Sequence, residues 1–176
     1  ELYDAIFGHW SGVIRDRLAG LQAALEPGEG DRLARIVDAL VLPSARLRET
    51  PEGRSYALLA TRGLSQQGQE EDRAIREFFD PLAREFINAM HDAIAAETPS
   101  ATRAQTAWCY QFALGALLHH LSDQRIERLS DGAAVPADPS VANQLSAFVT
   151  AGIRGAMASF AASANTPASE AWGNAE

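Results

Sequence analysis

The stretch AWCYQFALGALLHHLSD, from Ala107 to Asp123, is the most apolar part of the chain. No charged side chain lies between Arg103 and Asp123 when histidine is counted as neutral. A helix that spans a membrane needs about 20 predominantly apolar residues. Polar side chains interrupt this run too often for that role, namely Gln105, Thr106, Gln111, His119, His120 and Ser122. The stretch therefore predicts a buried helix of a soluble protein, with two of its faces covered.

Helical periodicity continues along the rest of the chain, and no sustained alternation of apolar and polar residues indicates a strand. The first helix is predicted from about Leu2 to Leu25, where apolar side chains recur at helical spacing. The segment EPGEGD ends it, and Asp31 is the expected N-cap of a second helix. Pro43 is expected to kink or divide that second helix, and Thr50 is expected to cap the next one.

A longer helix follows, and the dipeptide Asp80–Pro81 is expected to interrupt it as a second signal of a cap followed by proline. After the quoted stretch, a polar connection that contains Pro and Gly leads to a last helix from about Val141 to Phe160. No internal repeat or linker divides the chain. We therefore predict one all-α domain over residues 1–160, an orthogonal or antiparallel helical bundle, with a frayed tail over residues 161–176.

The quoted helix and the last helix carry more apolar surface than one core needs, because neither has a charged side opposite an apolar stripe. On the quoted helix, helical spacing separates a face with Trp108, Phe112, Ala116 and His119 from a face with Tyr110, Leu114, Leu117 and Leu121. On the last helix, Arg154 is the only charged residue between Val141 and Phe160. Exposure of so much apolar surface would promote aggregation, so each helix is expected to bury one face in its own subunit and one against a second copy.

These two helices from each of two chains would form a four-helix dimer interface. Small side chains on the last helix would let a partner helix approach closely. The predicted interface residues are Leu117, Leu121, Leu145, Phe148, Gly152, Gly155 and Ala156. The alternative is a monomer with two deeply buried helices.

Composition and motifs argue against several other functions. The formal net charge of −8 has the wrong sign for a surface that binds nucleic-acid phosphates. No Glu-x-x-His pair, phosphate loop, nucleophile elbow or paired-cysteine motif is present, so no catalytic residue and no cofactor are predicted. The adjacent His119 and His120 point about 100° apart on a helix, and no metal site is predicted. His119 is expected to pair with Asp123, and Cys109 is expected to be a buried, inert thiol.

The order of the segments resembles the C-terminal effector domain of the tetracycline-repressor (TetR) family of transcriptional regulators. An amphipathic first helix, a kinked helical body and two final apolar helices follow one another in that order. The stretches that carry the resemblance are ELYDAIF (1–7), RLARIVDALVLPSARL (32–47), PEGRSYALLA (51–60), REFFDPLAREFINAMHDAI (76–94) and FALGALLHHLSD (112–123). The resemblance extends from Glu1 to about Phe160.

The resemblance implies a homodimeric, cytoplasmic regulator, a repressor that a small apolar or aromatic effector releases from operator DNA, with no membrane association. The family's helix-turn-helix DNA-binding domain would precede Glu1, so operator DNA is expected to bind only through that domain. The effector pocket is expected among the first helix, the middle segments and the quoted helix, lined by Trp10, Ile14, Leu40, Leu59, Phe79, Phe86, Trp108, Phe112 and His119. A helical-bundle enzyme and a dimerisation module without a ligand are the alternatives.

Overall fold

The computed structural model describes residues 2–50, 53–55, 57–58, 61, 75–135 and 138–164. These residues contain no strand, so the predicted all-α fold class is confirmed. The helices are α1 (Leu2–Leu25), α2 (Arg32–Ala45), α3 (Asp80–Glu97), α4 (Arg103–Ser122), α5 (Ile126–Leu129) and α6 (Ser140–Ala164), with a 3-10 turn over Arg46–Glu49 and a π-helical turn over Ile75–Phe79. The part of the predicted tail beyond Ala164 lies outside the described residues.

Two of the helix starts have the caps that their sequences predict. The Ala34 backbone N–H donates to the Asp31 carboxylate over 3.1 Å, which confirms Asp31 as the N-cap of α2. The Gly53 backbone N–H donates to the Thr50 hydroxyl over 3.0 Å in the same way. Pro43 does not divide α2, because the helix continues beyond it before tightening into the 3-10 turn.

The start of α3 differs from the predicted cap followed by proline. The π-helical turn runs directly into α3 at Asp80, and no side chain caps the junction. Pro81 lies in the first turn of α3, where proline is common because its fixed φ suits a helix. The chain therefore continues as a helix, and the π-turn brings Ile75 and Phe79 to the cavity described below.

Helix α2 is the centre of the subunit and packs against α1, α3, α4 and α6. Its buried apolar side chains are Leu33, Ile36, Val37, Ala39, Leu40, Val41 and Ala45. Helix α1 approaches it closely at Gly20, where an added Cβ would lie 3.1 Å from the Cβ of Ala39. A hydrogen bond of 2.5 Å from the Ser146 hydroxyl to the Asp38 carboxylate attaches α6. Through α2, the fold connects α1, which lines the cavity, to α6, which is exposed on its outer side.

An ion-pair network joins α6 to the start of α2 and the end of α3. Arg154 donates to the carboxylates of Asp31 and Glu97, with N–O distances of 2.7 Å in both pairs. The three side chains are 37–48% exposed, so solvent screens the network and its contribution to stability is modest. The hydrogen bonds between Arg154 and these two carboxylates lower the pKa of Asp31 and of Glu97, and they raise the pKa of Arg154.

The stabilisation from this network is expected to disappear in acid. A carboxyl group whose pKa is lower in the folded chain stabilises the fold at pH values above its unfolded pKa, and this contribution is lost as the pH falls through the folded pKa. The ordinary values are 3.8 for Asp31 and 4.5 for Glu97, so the loss is expected below about pH 4. We expect Arg154→Met to lower the free energy of urea unfolding by at most about 1 kcal/mol at neutral pH.

The measurement is a series of urea titrations from neutral pH downward. The difference between the wild type and Arg154→Met should shrink toward zero below about pH 3. Arg128→Met, which changes an exposed arginine on α5, should show no such trend. A difference that stays constant over this range would show that the network does not act through these two carboxylates.

Candidate functional site

A mostly apolar cavity of about 360 Å³ lies among α1, α2, α3 and α4. Its volume falls within the range of about 300–1,000 Å³ that small-molecule sites occupy. Apolar side chains form most of the wall: Ile75, Phe79, Leu82, Ala83, Ile87, Ala107, Leu114, Leu117, Leu118 and Leu121. The polar lining residues are Arg17, Ser44, Asp80, Tyr110 and Gln111. Such a lining suits a ligand with an apolar body and few polar groups.

Arg17 is a buried cation in this wall. Its side chain is 4% exposed, and its Nε donates to the backbone carbonyl of Leu40 over 2.9 Å. Burial lowers the pKa of Arg17 to about 10, against an opposing interaction with Tyr110, so the guanidinium remains protonated at neutral pH. The signal that could have identified it in the sequence is its position between Val13 and Leu21, at helical spacing on the buried stripe of α1.

Ser44 and Tyr110 bring hydroxyl groups to the same wall. Ser44 is fully buried, and its Oγ has no hydrogen-bond partner among the residues that the structure describes. Burial raises the pKa of the Tyr110 phenol, although the charge of Arg17 lowers it, so the phenol is neutral at neutral pH and can donate a hydrogen bond. Nothing in the sequence distinguishes Ser44 from a surface serine, and only the fold shows that it is enclosed.

Among the predicted ligand-binding residues with described side chains, Phe79 is the one on the lining of this cavity. Three others pack in the core of the subunit or beside it and do not line this cavity: Ile14, Leu40 and Phe86. Their helical spacing predicts that they point into the subunit, and they do. The interior contains both a packed core and a cavity, and spacing does not distinguish between the two. Trp10 lies on α1 with its side chain outside the described residues, and Leu59 lies outside them altogether.

Trp108, Phe112 and His119, three of the predicted pocket residues, are exposed on the subunit and do not line this cavity. Trp108 and Phe112 are 59% and 56% exposed, and their rings stack with centroids 5.9 Å apart. His119 is exposed and lies 3.3 Å from the carboxylate of Asp123, as their spacing predicts. Helix α4 therefore has the two apolar faces that the sequence separates, but the face with Trp108 is the outer one.

The outer faces of α4 and α6 form an apolar groove of about 150 Å³. Phe112 and Phe148 line it, and Phe148 is 68% exposed. Gly152 keeps the groove open, since a Cβ there would meet no atom within 4 Å. The other lining residues are Cys109, Ala113, Ala116, Val149, Ile153 and Ala156. We name this surface, together with the adjoining Trp108, the outer groove; large exposed aromatic rings around an apolar groove are typical of protein–protein contacts.

The predicted interface residues divide between the outer groove and the interior. Phe148, Gly152 and Ala156 line the outer groove, Gly155 is exposed on α6, and Leu145 is partly buried against the core. Leu117 and Leu121 are buried and line the cavity instead. Their own subunit thus encloses these two side chains, whereas Phe148 and Gly155 are exposed.

Helix α6 is long and apolar enough, over Ser140–Ser163, to cross a membrane by length and composition, with 28% of its most apolar window buried. It nevertheless packs against α2 and α4, and its Arg154 carries the ion-pair network. A helix held in this way by its own subunit is typical of a protein core.

The described part of the chain contains no group of three or more His, Cys, Asp or Glu side chains that could hold a metal ion. Cys109 is buried as predicted, and its Sγ lies 3.9 Å from the Sδ of Met157. Burial raises the pKa of this thiol, which keeps it in the unreactive protonated form. Arg17 and the hydroxyl groups of Ser44 and Tyr110 bring hydrogen-bond donors to the cavity.

Comparison with known protein families gives a match over residues 38–152 to the family described as "Tetracyclin repressor-like, C-terminal domain". The matched segment covers more than half of the chain, from the middle of α2 into α6. It includes most of the cavity wall and most of the outer groove. Comparison with curated proteins gives no significant match. Fold and family match agree, and the chain belongs to the tetracycline-repressor-like C-terminal domain family.

Proposed function

We propose that the chain is the small-molecule-sensing and dimerisation domain of a cytoplasmic transcriptional regulator, a repressor that its effector releases from DNA. The observation that carries the proposal is the double use of α4. One of its faces lines the cavity with Leu114 and Leu117, and another brings Phe112 to the outer groove. Occupancy of the cavity and the placement of a second copy on the outer groove are thereby coupled through one helix. Membership of the family supports this assignment.

The proposed regulation requires the ligand to distinguish between two arrangements of the dimer. In dimeric helix-turn-helix regulators, two recognition helices enter successive major grooves about 34–36 Å apart. A ligand releases DNA only if it binds better to an arrangement that does not match this spacing, typically by about 1–3 kcal/mol. Helix α1 is the element we expect to transmit the change, because Arg17 on α1 is part of the cavity wall.

A large side chain in the cavity is expected to abolish effector binding. The test is thermal unfolding of the protein with a library of small apolar molecules. A ligand of the folded state raises the free energy of unfolding by mass action, by about 2.7 kcal/mol at 100 times its Kd, and so raises the melting temperature. Ala83→Trp, on the cavity wall, should lose the stabilisation that a hit gives to the wild type. Ala96→Trp, at an exposed position on the same helix, should keep it.

Three outcomes would contradict this proposal. A library without any stabilising molecule would favour a dimerisation module that has no ligand. A hit that stabilises Ala83→Trp as strongly as the wild type would bind outside the cavity. Conversion of a hit into a product during the incubation would favour an enzyme.

A further inference from the structure

The polar end of the cavity holds a positive charge that no described carboxylate neutralises. Arg17 is enclosed by the subunit, and among the described residues its guanidinium makes one hydrogen bond, from Nε to the Leu40 carbonyl. Asp80 is the one carboxylate among the described lining residues, and it forms no ion pair with Arg17. Buried charges in proteins are ordinarily paired. The unpaired guanidinium therefore indicates that the cavity suits an anion.

Ser44 places a second donor near this charge. Ser44 follows Leu40 by four residues on α2, so the two residues lie on the same face of the helix, one turn apart. The backbone carbonyl of Leu40 is the group that accepts the hydrogen bond from Arg17. The Oγ of Ser44 is fully buried with no protein partner among the described residues. A buried hydroxyl without a partner is unfavourable in the empty protein and becomes favourable when a bound group accepts its hydrogen bond.

The rest of the lining selects among anions. A carboxylate accepts two parallel hydrogen bonds from a guanidinium and carries one negative charge, which matches the one positive charge of Arg17. A phosphate monoester carries up to two negative charges. Arg17 would balance one of them, and the second would lie unbalanced in a cavity that Asp80 also lines. Apart from Asp80, Tyr110 and Gln111, the lining residues of α3 and α4 are leucine, isoleucine and alanine, which favour a ligand with an apolar body.

We propose that the cavity binds amphiphilic monocarboxylates, with the carboxylate on Arg17 and Ser44 and the apolar body against α3 and α4. The inference rests on the proposed function, because it names the class of effector for the same cavity. Short fatty acids and arylalkenoic acids have the required combination of one carboxylate and one compact apolar group.

The test compares each acid with its uncharged alcohol in calorimetric titrations of the purified protein at neutral pH. The pairs are decanoate with decanol and cinnamate with cinnamyl alcohol. At least one acid should bind about 10- to 100-fold more tightly than its alcohol, the ratio expected of hydrogen bonds to a charged group. Equal affinities within both pairs would overturn the monocarboxylate inference and leave the sensing proposal intact. No binding by any of the four, together with an unsuccessful library screen, would count against the sensing proposal itself.

Substitutions locate the carboxylate. Arg17→Met removes the charge but keeps an unbranched apolar stem, and it should remove the preference for the acid. Arg15→Met, an exposed control on the same helix, should leave that preference unchanged. Asp80→Asn removes the negative charge from the lining and should strengthen acid binding or leave it unchanged. An acid preference that persists in Arg17→Met would place the carboxylate elsewhere.

Ser44→Ala provides a readout that does not depend on a charge change in the interior. It should weaken acid binding about fivefold or more and, in the ligand-free protein, raise the melting temperature by about 2–4 °C, because it removes an unpartnered buried hydroxyl. Ser146→Ala removes a buried hydroxyl that does have a partner, Asp38, and should lower the melting temperature instead. If Ser44→Ala lowers the melting temperature and leaves acid binding unchanged, the serine has only a structural role and the proposal is wrong at this residue.

Discussion

We expect Phe148→Glu to convert the proposed dimer into a folded monomer. In the isolated subunit this ring is exposed beside Phe112 and Gly152 in the outer groove, so the fold of the subunit does not depend on it. In the proposed four-helix interface it is enclosed, and a glutamate there would be a charge buried without a partner. Aromatic residues at the centre of an interface commonly contribute more than about 2 kcal/mol. With the added charge we expect a loss of about 4 kcal/mol, which is about 1,000-fold in the dissociation constant of the dimer.

Light scattering on a size-exclusion column, over a series of loading concentrations, measures this change, and circular dichroism reports whether the helices remain. Leu129→Glu is the matched control, because it introduces the same charge at a similarly exposed apolar residue outside the outer groove. The control should dimerise like the wild type. If Phe148→Glu dimerises equally well, the contact between copies does not use this surface.

Phe86→Ala is expected to lower the free energy of unfolding by about 3–5 kcal/mol. The ring is fully buried on α3 within the hydrophobic core, and its removal leaves a void that the close-packed neighbours fill only in part. The measurement is urea unfolding in the Phe148→Glu background, where dissociation of the dimer makes no contribution. Leu129→Ala, at an exposed residue, should change the free energy by less than about 0.5 kcal/mol.

The same variant separates core packing from ligand contact. Phe86 is absent from the lining of the cavity, so a ligand identified by the screen should bind folded Phe86→Ala with its wild-type affinity. A loss of stability below about 1 kcal/mol, or a weakened ligand with the fold intact, would contradict the placement of this residue.

The spacing of apolar residues predicts the helices and the two apolar faces of α4. It does not predict which of the two faces is buried in the subunit. Both faces of α4 are apolar, so periodicity separates Trp108 and Phe112 from Leu117 and Leu121 without showing which pair is inside. In the structure the aromatic pair is exposed, and the leucine pair is buried and lines the cavity. Which face points inward depends on how α2 and α3 pack against α4, and that is a tertiary property.

The sequence predicts only part of the polar lining of the cavity. Arg17 interrupts an apolar stripe on α1, and such an interruption is a visible signal of a buried or snorkelling charge. Its enclosure depends on Leu40 offering a backbone carbonyl across the interface between α1 and α2, and no local pattern encodes that contact. Ser44 is enclosed because α2 continues through Pro43, although proline in a helix ordinarily predicts a break.

In the proposed dimer, α4 and α6 bury their outer apolar faces against a second copy of the chain, while α4 also lines the cavity of its own subunit. Sedimentation equilibrium of the unmodified protein at micromolar concentration tests this most directly. We predict a particle of twice the 18.9 kDa subunit mass. A stable, soluble species of 18.9 kDa across that concentration range would contradict the account.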